Sequence, residues 1–79
     1  MKVDIYKSEK NGRKLVFAKS GLDLEGYSLD TTDQEYGKLK LVKCNVTLRT
    51  DKALIGLSIT AASQAEEQLK TSDVALVAT

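Results

Sequence analysis

The chain has 79 residues, of which 42% are apolar and 29% are charged, and its formal net charge is +1. This composition is typical of one folded globular domain and excludes an intrinsically disordered chain. Because there is no histidine and only one cysteine, Cys44, an internal disulfide and a structural zinc site are also excluded.

The first predicted element is a β-hairpin over residues 3–19. Its Asn11-Gly12 pair favours a two-residue type I′ turn, in which both central residues take positive φ. Such a turn places Tyr6 opposite Phe17 and fixes the register of the two strands. The register divides the apolar side chains between two faces, with Val3, Ile5, Val16 and Ala18 on one and Tyr6, Leu15 and Phe17 on the other.

Both faces of this predicted hairpin are therefore apolar at the centre. An antiparallel sheet commonly keeps one face in water, so a hairpin with two apolar faces needs an additional cover. We expect either the following loop or a partner protein to cover the face that carries Tyr6, Leu15 and Phe17.

The segment 20–37 carries five acids and no base, whereas the segments on either side of it are basic. Thr32 and Glu35 have the spacing of a capping box, and Gly37 follows at a C-terminal cap position. We expect a short helical turn over residues 32–36, in a loop that lies partly or wholly against the hairpin. The acidic segment either neutralises the basic strands locally or creates a bipolar surface that attracts a charged partner.

The next predicted element is a strand in KLKLVKCNVTLR, residues 38–49. Apolar side chains alternate there with polar ones, at Val42, Cys44, Val46 and Leu48. This alternation predicts a half-buried strand in which Cys44 is an inert core thiol. A turn at 50–53 and a short strand at 54–57 complete a second hairpin.

Residues 59–70 have the clearest helical pattern, with Ser58 as the predicted N-cap. The apolar stripe consists of Ile59, Ala62, Ala65 and Leu69. Its alanines allow close packing on a sheet and make poor anchors for an external partner, so we interpret the stripe as core. Residues 74–78 form a last apolar strand, which the strand–helix–strand order predicts to run parallel to an earlier one.

Together these elements predict a single α+β domain over residues 1–79. Its sheet is mostly antiparallel, with about five strands supplied by the N-terminal hairpin, the middle hairpin and the C-terminal strand. One helix, at about residues 59–70, packs on one face of this sheet.

No motif in the sequence indicates catalytic chemistry. The commonest general base and metal ligand, histidine, is missing, and no neighbouring base is identified that would activate Cys44. The acids of segment 20–37 lack the spacing, central glycine and terminal glutamate of a calcium loop. We therefore expect no enzymatic activity, no cofactor and no metal site.

The sequence predicts a cytoplasmic protein that does not contact a membrane. No apolar run approaches the roughly 18 residues of a membrane span. The opening MKVDIYKSEK lacks the apolar core and the cleavage site of a secretion signal.

The expected function is that of a small non-enzymatic protein–protein interaction or regulatory module, with a homodimer as one form of the interaction. The predicted contact surface combines the apolar hairpin face with acids of the following loop. Its residues are Tyr6, Leu15, Phe17, Asp23, Glu25 and Asp33.

The alternative function is nucleic-acid binding by basic residues of the strands. The candidate contacts are Lys14, Lys38, Lys40, Lys43 and Arg49. Basic strands with an exposed aromatic can bind single strands by charge and stacking. The chain has few aromatic residues and no RNA-recognition signature, so a protein partner is the favoured interpretation.

The opening MKVDIY and the closing EEQLKTSDVALV resemble the two ends of a family of very small proteobacterial proteins of unknown function. The resemblance implies an N-terminal strand pair, an irregular middle, a helix and a last strand, in a bacterial cytoplasmic protein. This chain has no proline and does not match the middle of that family. The resemblance carries over no functional residues.

Overall fold

The computed structural model describes residues 2–22, 24, 32–48 and 59–78. These residues form an α+β domain, as predicted, with one antiparallel sheet of four strands and one α-helix. The strands are β1 (Lys2–Ser8), β2 (Lys14–Lys19), β3 (Leu39–Thr47) and β4 (Val74–Ala78), and the helix is α1 (Ile59–Leu69). The strand order is β3-β1-β2-β4. The fifth strand predicted at 54–57 and the N-cap predicted at Ser58 lie outside the described residues.

The hairpin of β1 and β2 is present, but its register differs by one residue from the prediction. Ile5, rather than Tyr6, lies opposite Phe17, and Lys7 lies opposite Leu15. Because side chains alternate along a strand, this shift moves every side chain of one strand to the other face relative to its partner. The grouping of Tyr6 with Leu15 and Phe17 on one face is therefore wrong.

The connection between the two strands explains the shift. Neither Asn11 nor Gly12 takes a positive φ, so the predicted type I′ turn does not form. The Ser8 hydroxyl instead accepts hydrogen bonds from the Lys10 and Asn11 amides, at 3.1 and 3.0 Å. The Asn11 side chain accepts one from the Arg13 amide at 3.0 Å. These side-chain bonds to the backbone favour a longer loop over the two-residue turn.

The core lies between α1 and one face of the sheet. The face covered by α1 carries Val3 and Ile5 from β1, Leu15 and Phe17 from β2, and Ala75 and Val77 from β4. The helix contributes Ala61, Ala62, Ala65 and Leu69. The predicted helix and its role as core are thereby confirmed for the described side chains. Its small residues allow close packing on the strands.

The other face of the sheet is also partly covered, by the end of the acidic segment. A 3-10 helix over Gln34–Tyr36 contacts β2. Tyr36 is buried, and its hydroxyl donates a hydrogen bond to the Val77 carbonyl at 3.3 Å. The Ser8 hydroxyl donates to the carbonyl of Glu35. The prediction that the loop lies against the hairpin is confirmed for this part.

The cap of this short helix differs from the predicted capping box. Asp33, rather than Thr32, is the N-cap, and its carboxylate accepts a hydrogen bond from the Glu35 amide at 2.9 Å. Gly37 lies at the C-cap, as predicted. Both Asp and Thr are good N-cap residues, and the contact of Asp33 with Lys14 described below favours the aspartate.

β4 is antiparallel to its neighbour β2 and has no parallel neighbour in the described sheet, although it runs in the same direction as β1. The strand predicted before α1, at 54–57, lies outside the described residues. On the side of β4 away from β2, Gln68 of α1 binds the main chain of Leu76. Its side-chain amide donates to the Leu76 carbonyl at 2.8 Å and accepts from the Leu76 amide at 3.0 Å. One glutamine thus satisfies the backbone groups that an adjacent strand would bind.

Gln68→Ala is expected to lower the free energy of unfolding by about 1–2 kcal/mol, because two partly exposed hydrogen bonds are lost. Urea denaturation followed by circular dichroism measures this change. Gln64→Ala, at another exposed position of α1, is the matched control. Equal effects of the two substitutions would show that the Gln68 contacts contribute nothing.

Candidate functional site

β3 is the exposed strand of the sheet. It pairs only with β1 in the described sheet, whereas α1 packs on β4 and β2. Leu41 and Val42 are 48% and 46% exposed, and Cys44 is also exposed. The prediction of Val42 and Cys44 as buried residues is therefore wrong, although Val46 and Leu48 do contact the core.

Two bulges explain why the alternation of β3 fails as a guide to its burial. The register of β3 shifts against β1 between Val3 and Ile5, and again between Ile5 and Tyr6. At the bulge between Val3 and Ile5, Asn45 takes a φ of 54°, and its amide donates a hydrogen bond to the Asp4 carboxylate at 2.8 Å. Each extra residue reverses the face of the side chains beyond it.

The regular part of β3 lies before these bulges, where Leu39, Lys40 and Leu41 pair in sequence with β1. The Glu9 amide donates to the Lys38 carbonyl at 3.0 Å. Because bonded residues alternate in an antiparallel ladder, Lys40 also bonds to β1, and the main-chain groups of Leu39 and Leu41 point away from it. In the described part of the chain no strand pairs with these groups, which form the outer side of the sheet. We call the outer side of the segment from Lys38 to Lys43, which includes the start of β3, the β3 edge.

The β3 edge is basic. Lys38, Lys40 and Lys43 are exposed, and Lys7 of β1 lies directly opposite Lys40. Among the described residues none of these four lysines forms an ion pair. Like charges directly opposite each other destabilise a strand pair. The structure therefore gains no stability from placing Lys7 against Lys40, and the lysines leave a strong positive charge beside Leu41 and Val42.

Lys14 is in a different environment from the lysines of β3. Its ammonium forms ion pairs with Asp33 and, at 3.2 Å, with Glu35, and it lies 5.5 Å from the centre of the Tyr36 ring. The hydrogen bond to Asp33 raises the pKa of Lys14 above its ordinary value. These contacts attach the 3-10 helix to β2 and occupy Lys14, so it is not positioned to bind phosphate with Lys38, Lys40 and Lys43.

The ion pair between Lys14 and Asp33 predicts that the stability of the fold depends on pH. The Lys14 ammonium, and then the Glu35 amide, hold the pKa of Asp33 below its ordinary value. A lowered folded-state pKa gives stability that is present above the unfolded value of about 3.9 and is lost as the pH falls through the folded value. Asp33→Asn keeps an N-cap side chain and removes the charge.

We expect Asp33→Asn to be less stable than the parent protein at neutral pH, with a difference that shrinks as the pH falls through the acid range. Urea denaturation at a series of pH values measures it. A difference that stayed constant from neutral to strongly acidic pH would mean that the carboxylate charge does not stabilise the fold.

The predicted contact residues do not form one surface. Leu15 and Phe17 lie in the core under α1, Tyr6 is half-buried on the opposite face, and Asp33 is bound to Lys14. Asp23, Glu25 and Arg49 lie outside the described residues. Of the alternative set, Lys38, Lys40 and Lys43 do lie together, at the β3 edge.

Leu41 and Val42 were missed by the sequence reasoning. A signal for them existed in KLKLVK, residues 38–43, where the lysines depart from strict alternation. Such a departure is typical of a bulge, and lysines are typical of a sheet edge.

In the described part of the chain, no three His, Cys, Asp or Glu side chains are grouped so that they could hold a metal ion. No helix there is long and apolar enough to cross a membrane. Comparison of the chain with family models, with curated proteins and with solved structures finds no match. The resemblance of the chain ends to a small proteobacterial family therefore stays a prediction.

Proposed function

We propose that this protein is a small non-enzymatic protein-interaction module, and that its partner binds along the β3 edge. The observation that supports this proposal most is the combination of an open strand with exposed apolar side chains at Leu41 and Val42. Exposed apolar groups rimmed by charged ones are typical of binding surfaces. A cytoplasmic location belongs to the same proposal.

The placement of the aromatic residues favours a protein partner over a nucleic acid. Sheet surfaces that bind single strands stack bases on exposed aromatic side chains. Phe17 is fully buried under α1, and Tyr36 is buried beside Lys14. Tyr6, opposite Leu41 across the strand pair, is half-buried. The lysines of β3 therefore have no exposed aromatic platform beside them among the described residues.

Site-specific photocrosslinking in the native cells tests the proposal. A photoreactive amino acid at Val42 is expected to give a discrete protein adduct. The same amino acid at Glu67, exposed on the outer side of α1, is the matched control and is expected to give none. No adduct from Val42, or the same adducts from both positions, would contradict binding at the β3 edge.

A further inference from the structure

We propose that the β3 edge binds an extended acidic segment of another protein, which adds to the sheet as a strand next to β3. This inference rests on the proposed function and names the chemistry of the partner. Strand addition obtains affinity from main-chain hydrogen bonds and specificity from alternate side chains. The structure supplies both kinds of contact at one place.

The main-chain contacts are those of Leu39 and Leu41. Their amides and carbonyls point away from β1, as the Glu9–Lys38 hydrogen bond and the ladder alternation require. The corresponding position at the other edge of the described sheet, on β4, is occupied by Gln68. Of the two described sheet edges, β3 is therefore the one that offers these groups to an incoming strand.

The side-chain contacts determine the charge of the incoming strand. Lys38, Lys40 and Lys43 are exposed and form no ion pair among the described residues. A strand with carboxylates at alternate positions places opposite charges beside them, which stabilises a cross-strand pair. Apolar side chains between the carboxylates would lie on the other face of the sheet, where Leu41 lies opposite Tyr6.

A second copy of this chain is a poorer occupant. A two-fold pairing that uses both outward-facing residues sets Leu39 opposite Leu41 of the other copy. In this register Lys40 lies directly opposite Lys40, with more lysines of both copies nearby and no acid between residues 38 and 48. Like charges opposite each other oppose this pairing, and lysines and bulges are common protection against edge-to-edge association. The same lysines attract an acidic strand.

Binding of short capped peptides to the isotope-labelled protein tests this inference by NMR. The probes are a peptide of alternating Glu and Val, the same peptide with Lys for Glu, and the Glu peptide with N-methyl groups on its backbone. We expect the Glu peptide to bind about tenfold more tightly than either control. Its largest shifts should occur at the Leu39 and Leu41 amides.

Two variants with the same net charge locate the binding site. Lys38→Glu, Lys40→Glu and Lys43→Glu together are expected to abolish binding of the Glu peptide. The matched control replaces three exposed lysines elsewhere by glutamate, at Lys2, Lys10 and Lys70. This variant is expected to retain most of the binding. Far-UV circular dichroism confirms that both variants are folded, and wild-type titrations with N-methylated peptide decide the case if the first variant unfolds.

The outcomes separate this inference from the proposed function. Equal binding of the Glu and Lys peptides, or tighter binding of oligothymidylate than of the Glu peptide, would overturn the acidic-strand inference. A Val42 adduct without any binding of the Glu peptide would leave the interaction module in place and reject only the acidic partner. Without an adduct from Val42, the proposed function itself fails.

Discussion

Phe17→Ala is expected to leave a large part of the protein unfolded at room temperature. The Phe17 side chain is fully buried between α1 and the sheet, opposite Ile5 and Ala75 on the neighbouring strands. Truncation of a buried phenylalanine costs about 3–5 kcal/mol. A single core of this size supplies roughly 3–5 kcal/mol of stability, so the substitution removes most of it. Urea denaturation followed by circular dichroism measures the loss.

The matched control for this substitution is Val42→Ala on β3. Val42 is 46% exposed, and surface substitutions of this kind change stability by about 0.5 kcal/mol or less. The comparison also tests the place of Phe17 in the core. If Phe17→Ala cost no more than Val42→Ala, Phe17 would not be packed between α1 and the sheet.

Leu69→Ala is expected to lower the free energy of unfolding by about 2–5 kcal/mol. Leu69 is 1% exposed, and the other described core side chains of α1 are alanines. Leu69 is therefore the largest described core side chain of α1. Its loss leaves a cavity that alanines cannot fill, because they have no side-chain freedom to move into it. Thermal and urea denaturation both measure the effect.

Gln64→Ala serves as the control on the same helix, since Gln64 is exposed and alanine has the higher helix propensity. We expect the stability of this variant to equal or slightly exceed that of the parent. Similar losses for Leu69→Ala and Gln64→Ala would show that α1 does not pack on the sheet through Leu69.

The elements that follow from local patterns were predictable from the sequence. The stripe over residues 59–70 gave α1, and the apolar run at 74–78 gave β4, because burial and periodicity coincide there. The direction of β4 was not predictable in the same way. The direction depends on where the end of α1 places the start of β4 relative to β2. The sequence carries no local signal for that placement.

The hairpin register shows how one buried polar group overrides a turn signal. Asn11-Gly12 favours a two-residue turn when only the turn residues are considered. Ser8 is buried, and its hydroxyl is satisfied by the Lys10 and Asn11 amides and the Glu35 carbonyl. The Glu35 partner is distant in sequence, so its effect on the register could not be foreseen.

The candidate site was predictable only in part. The sequence indicates the lysines of the β3 edge only as phosphate contacts, together with Lys14. The separation of Lys14 from them depends on Asp33 and Glu35, which contact it across the fold. Leu41 and Val42 are exposed because β3 is an edge strand of the described sheet and because α1 lies over β2 and β4 instead. The alternation of apolar and polar residues in the sequence shows neither feature.

Amide hydrogen exchange at β3 tests the availability of the β3 edge most directly. In the free protein we expect the Lys40 amide, which bonds to β1, to exchange slowly, and the Leu39 and Leu41 amides to exchange rapidly. Addition of the Glu peptide should slow the exchange of Leu39 and Leu41 alone. If these two amides were already as protected as Lys40 in the free protein, the edge would be occupied, and a partner could not bind there as a strand.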